Sequence, residues 1–156
     1  MVFRNPTAGV LTFDGVLDEL SIFLHADPRA EYRLTIGTDS EQRSDVVEFI
    51  SAIVIHRKGR GARYFWMQTE KPKYATLRER IWQEAILSTS LARSVLDALA
   101  EREVWRSVIE VHVDVGENGP TKVLIREIGG YVRALGFVLC IKPYSYAASA
   151  VADRYT

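Results

Sequence analysis

Apolar residues recur at helical spacing from about residue 12 to 25, where Phe13, Val16, Leu17, Leu20, Phe23 and Leu24 line one face. Thr12 suits the N-cap and Asp27-Pro28 ends the run. Strand-like alternation follows over 32–38, with Tyr32, Leu34 and Ile36 set against Arg33, Thr35 and Gly37. A polar stretch, 39–45, reads as a turn before a Val/Ile/Phe-rich strand over 46–56. The Arg57-Lys58-Gly59-Arg60-Gly61 turn then leads to a third strand over 62–69. Short connections between three consecutive strands predict an antiparallel meander.

The period changes again at 76–103, where Leu77, Ile81, Ser88, Leu91, Val95 and Leu99 share one face of a long helix. A strand over 108–115, a helix opened by Pro120 and ended at Gly136, a strand over 137–141 and an alanine-rich terminal helix complete the chain. The order is helix, then β-β-β-α-β-α-β-α. Its second half consists of crossovers that require parallel strands, so the expected fold is α/β, a mixed five-stranded sheet with helices on its faces. A single domain is expected over 1–156, with its core at about 32–156.

At 156 residues, with 47% hydrophobic and 26% charged positions, the composition fits a soluble globular domain. Twenty basic and twenty acidic side chains cancel, so bulk charge does not draw this chain to phosphates. Locally it differs: 57–80 holds eight basic residues and only two acids, Glu70 and Glu79, as a solvated hairpin or a phosphate-facing surface would. The lone Cys140, in the apolar run GFVLCIKP, reads as a buried inert thiol and permits no internal disulfide. No apolar run reaches membrane-spanning length, and the amino terminus lacks a signal-peptide core. A cytoplasmic protein with no membrane partner is expected.

Four acids stand where acids are costly. Asp39 follows the apolar run in YRLTIGTDS, Glu84 interrupts the apolar seam of TLRERIWQEA, Asp114 follows the apolar run in VIEVHVDVG, and Asp153 ends the short alanine-rich segment within the tail SAVADRYT. Burying carboxylates singly is expensive, whereas a shared divalent cation offsets the cost. Each also has a plainer reading. Asp39 suits a polar turn, Asp114 an exposed strand face with His112 and Glu110, and Asp153 a frayed terminus. Glu79 completes a capping box with Thr76, but Glu84 has no capping role.

The strings IGTDS, AIVIHR, TLRERIWQE, HVDVGENG and KPYSYAASAVADRYT, in this order, resemble the YkuK family of bacterial ribonuclease H-like proteins. The resemblance covers about residues 32–156 and leaves the first helix as an addition. It implies a ribonuclease H-like fold in which Asp39, Glu84, Asp114 and Asp153 converge as catalytic acids. These would hold two Mg²⁺ or Mn²⁺ ions about 4 Å apart for hydrolysis of phosphodiester bonds. His112 would support the ligands from beside them. Ser40, Lys71, Lys73, Arg78 and Arg80 would bind substrate phosphates, with Lys142 and Arg154 as lesser candidates. Tyr144 and Tyr146 would stack on bases or pack the last helix.

The implied partner is nucleic acid, with RNA, DNA and hybrid undistinguished and oligomeric state open. Three other readings stand beside the two-metal nuclease. One is a structure-selective nuclease acting as a dimer, and another is a non-catalytic nucleic-acid-binding or scaffold module on the same fold. The third is phosphoryl transfer on a small phosphate ester, where the missing P-loop argues against triphosphate hydrolysis of that type.

Overall fold

The computed structural model describes residues 1–145, so Asp153, Arg154 and Tyr146 lie outside the described residues. The chain opens with two strands that the sequence reading lacks. In β1 (Val2–Asn5), Phe3 and Asn5 are buried between exposed Val2 and Arg4. The Asn5 carboxamide accepts from the Thr7 and Ala8 backbone N–H groups and closes the turn into β2 (Gly9–Thr12). Four residues per strand are too few for alternation to stand out. Among the described residues the sheet therefore has seven strands instead of five.

The first helix, α1 (Phe13–Ala26), forms as expected, with the Thr12 hydroxyl accepting from the Gly15 N–H. A meander of β3 (Tyr32–Arg43), β4 (Val46–Arg57) and β5 (Ala62–Pro72) follows. The polar stretch from Asp39 onward is not a turn. The β3–β4 ladder runs on to the Arg43–Val46 pair, leaving only Ser44, at φ 51°, and Asp45 in the reversal. Ladder hydrogen bonds extend a strand whatever its side chains, and polarity alone had suggested the turn.

The long helix, α2 (Leu77–Glu101), begins at the Thr76/Glu79 capping box. Strand β6 (Glu110–His112) is shorter than its apolar run. A single 3₁₀ turn (Lys122–Leu124) precedes α3 (Ile125–Ala134), so Pro120 lies before the helix instead of opening it. Strand β7 (Val138–Cys140) completes the sheet. Among the described residues no helix is long and apolar enough to cross a membrane.

The sheet order is β2-β1-β5-β4-β3-β6-β7, antiparallel through the meander and parallel from β3 to β7. The three helices of the described residues, α1, α2 and α3, join Leu34, Ile36, Ile53, Ile55 and Phe65 in one buried cluster, so they share a face of the sheet. The opposite face carries a smaller cluster of Ile50, Ala52 and Trp66. Strand β3 is central to both. Truncating Ile53, fully buried on the helix face, should cost about 2–5 kcal/mol, whereas exposed Val10→Ala should change stability by less than about 0.5 kcal/mol. Urea denaturation of the two variants checks the assignment of the core.

Candidate metal centre

Register brings the strand acids together. Gly37 of β3 pairs with His112 of β6, and pairing stops there. Two residues further along each strand come Asp39 and Asp114, level with one another and, by alternation, on the same face. Asp39 faces Ile50 across the β3–β4 ladder, while Asp114 lies where β6 has left β3. Asp114 is half-exposed, and the Lys142 ammonium reaches its Oδ1 at 3.0 Å.

Glu84 approaches from the helix side. It sits one turn after Ile81 and one before Ser88 on the buried seam of α2, and is 5% exposed. The Ser40 hydroxyl donates to Glu84 Oε1, while Glu84 Oε2 is buried with no hydrogen-bond partner among the described residues. Beneath this contact, Ser88 donates to Thr38, whose hydroxyl also meets that of Ser51, each at 2.9 Å. These hydroxyls fix β3 against α2 through satisfied buried polar groups.

The energetics of Glu84 follow from this setting. Burial pushes its pKa up to about 8, with the negative charges of Asp39 and Asp114 adding to the rise. The Ser40 hydrogen bond and the Arg80 charge oppose that rise but do not cancel it. Asp39 and Asp114 thus both act through their charge on Glu84. An orphaned, buried carboxylate oxygen within a set of hard oxygen donors fits a divalent cation such as Mg²⁺ or Mn²⁺.

The basic candidates do not form one surface. Lys71 pairs with Val47, and the Lys73 N–H donates to the Asp45 carbonyl, both at the end of the sheet where β3 turns into β4. Arg80 lies one turn before Glu84. Arg78 is engaged by Glu127 of α3. Arg57, Lys58, Arg60 and Arg63 belong to the opposite end of the meander. There Arg57 stacks over Phe23 and donates to its carbonyl, Arg60 pairs with Asp27, and Lys58 pairs with Glu31. Half of the run of eight is accordingly remote from the acids, separated by the length of β3.

A second group escapes sequence reasoning. Glu110 and His112 on β6 and Cys140 on β7 place one ligand atom each within 4.8 Å of the others. Among the described residues no other such trio closes to this separation, so Asp39, Glu84 and Asp114 stand further apart. His112 pairs in register with Cys140, and the Arg33 Nε donates to Glu110 Oε2 at 2.8 Å. Burial, with some help from Arg33, lowers the His112 pKa to about 4, and burial raises that of the Cys140 thiol. The available signal was alternation, which puts Glu110 and His112 on one face; Cys140 joins them only through the β6–β7 register.

The raised pKa of Glu84 has a consequence for stability. A carboxyl group whose folded pKa exceeds its unfolded value takes up a proton on folding between the two. Without metal, stability should therefore fall as pH rises from 4.5 to about 8. In chelator, Glu84→Gln should flatten this fall and be more stable than the wild type at pH 8 by on the order of a few kcal/mol. Urea unfolding at pH 5 and pH 8 reads it; equal pH dependence in the two proteins would contradict the assignment.

A family model described as Ribonuclease H-like matches residues 15–156. The chain is also 35% identical, over 170 aligned positions, to the "Uncharacterized protein YkuK" of Bacillus subtilis (strain 168). That alignment covers 99% of this chain and 96% of the relative. With the mixed sheet, the β3–β6 register and the acids at its end already in place, the chain belongs to the ribonuclease H-like family, with YkuK among its relatives.

Proposed function

We propose that the protein is a metal-dependent nuclease that hydrolyses phosphodiester bonds in nucleic acid. The observation carrying this reading is Glu84: a buried carboxyl group with one oxygen unpartnered among the described residues, under the negative charge of Asp39 and Asp114. A purely structural acid at that position would be neutralised by a full set of hydrogen bonds or a close cation.

Asp39, Glu84 and Asp114 would hold two Mg²⁺ or Mn²⁺ ions, with Asp153 as the fourth ligand. Bound there, such ions neutralise phosphate charge and activate a water for in-line attack. The remaining steps belong to the chain itself. Ser40 holds Glu84 Oε1, so Oε2, without a hydrogen-bond partner among the described residues, would be the atom offered to an ion. Beside a bound cation Glu84 would be held as the carboxylate, its proton released to solvent, because the positive charge would offset the field of its acidic neighbours. Lys142, bound to Asp114 and about half exposed, can turn to a substrate phosphate without crossing a buried region. Lys71 and Lys73 supply further backbone contacts beyond the end of the sheet, and such contacts position a strand without reading its sequence.

The alternative, a non-catalytic nucleic-acid-binding module, draws on the zero net charge. Mg²⁺- and Mn²⁺-dependent cleavage of RNA, DNA and hybrid substrates separates the two. Asp39→Asn, Glu84→Gln and Asp114→Asn should each lower cleavage by about a hundredfold or more, through loss or misplacement of the metals, while substrate binding persists or strengthens. Wild-type cleavage rates in all three variants would overturn the nuclease assignment, and so would metal-independent binding with no cleavage of any substrate.

A further inference from the structure

We propose that Glu110, His112 and Cys140 form a second metal site, selective for a thiophilic divalent transition ion of the zinc class and distinct from the carboxylate centre. The three ligand atoms come from two adjacent parallel strands and lie within 4.8 Å of one another. Donors of a tetrahedral site with bonds of about 2.0–2.3 Å stand about 3.5 Å apart. Closing the cluster therefore takes side-chain adjustments of about an ångström, within the reach of Glu110 and Cys140, which are only partly buried.

The ligand types decide the ion. A sulfur and an imidazole disfavour Mg²⁺ and favour Zn²⁺, in contrast to the all-oxygen set of Asp39, Glu84 and Asp114. Arg33 binds Glu110 Oε2 and leaves Oε1 for the ion, the kind of outer hydrogen bond that orients a ligating carboxylate. Thr35, in register with Glu110, buries a hydroxyl that has no partner among the described residues, so a polar atom is left over beside the same site. Binding releases the thiol proton to solvent as the sulfur–metal bond forms. Three protein donors leave a fourth position for water.

The ion would act as a clamp. Strand β7 has three residues and, among the described residues, is an edge of the sheet, held on one side by β6. Joining Cys140 to Glu110 and His112 ties that edge to the strand that leads, two residues later, into Asp114. A zinc-class ion would in this way set the position of a carboxylate it does not touch.

Co²⁺ titration of the full-length protein tests the site, because a cobalt–thiolate bond gives a near-ultraviolet charge-transfer band that carboxylates cannot produce. One equivalent of Co²⁺ should raise the band, Cys140→Ser should abolish it, and Glu110→Gln should weaken binding about tenfold or more. Asp39→Asn should leave the band in place. Zn²⁺ should also raise the melting temperature of the wild type and have less effect on Cys140→Ser, a near-isosteric change expected to fold. Absence of the band at saturating Co²⁺ would overturn the proposal. A band at full strength and affinity in Glu110→Gln would also overturn it, by reducing the site to a lone thiol, and loss of the band in Asp39→Asn would overturn it by showing that the thiolate-bound ion depends on the carboxylate centre and is not a distinct site.

Discussion

The cost of burying the Glu84 carboxylate is the constraint around which this structure is arranged. The side chain is placed on the sheet-facing seam of α2, where an alanine or leucine would contribute packing without penalty. Instead it holds an acid that the surrounding apolar core and two other carboxylates keep protonated up to about pH 8. Such a group weakens the empty protein at neutral pH and is retained at a position where a cation would convert the penalty into binding energy. Strain of this kind is expected where function and not stability selects the residue.

The surrounding architecture makes that arrangement possible. The β3–β6 pairing ends at Gly37 and His112, so the next outward pair, Asp39 and Asp114, lies where the two strands no longer share hydrogen bonds. The hydroxyls of Thr38, Ser51 and Ser88 fix β3 against α2 just below, and Ser40 delivers the link to Glu84. Alternation along β3 thus divides the labour. Thr38 and Ser40 meet α2 and hold it, while Asp39, between them, lies level with Asp114 at the end of the β3–β6 pairing and acts on Glu84 through its charge. The proposed zinc-class clamp on β6 and β7 controls the same pair from its other end.

Much of this was legible in the sequence because it rests on short-range signals. Helical spacing, the Thr76/Glu79 capping box and the three-strand meander depend on neighbours within a few residues, and the structure has them. Glu84 stood out because nothing local accounts for it. The N-terminal hairpin was missed because its strands have only four residues each, and the outer end of β3 because polar side chains there hide a continuous ladder. The basic run misled for a different reason. Residues 57–63 and 71–80 are close in sequence but belong to opposite ends of β5, so proximity along a strand is separation in space. The Glu110–His112–Cys140 group was invisible because it exists only through the parallel register of β6 and β7, which pairs residues 28 positions apart.

Localising manganese by anomalous scattering in a Mn²⁺-soaked crystal tests the central claim most directly. The account predicts an anomalous peak bound by Asp39 together with Glu84 or Asp114, with Glu84 Oε2 turned toward the metal. A site that stays empty at millimolar manganese, or a peak held only by exposed acids elsewhere, would contradict it.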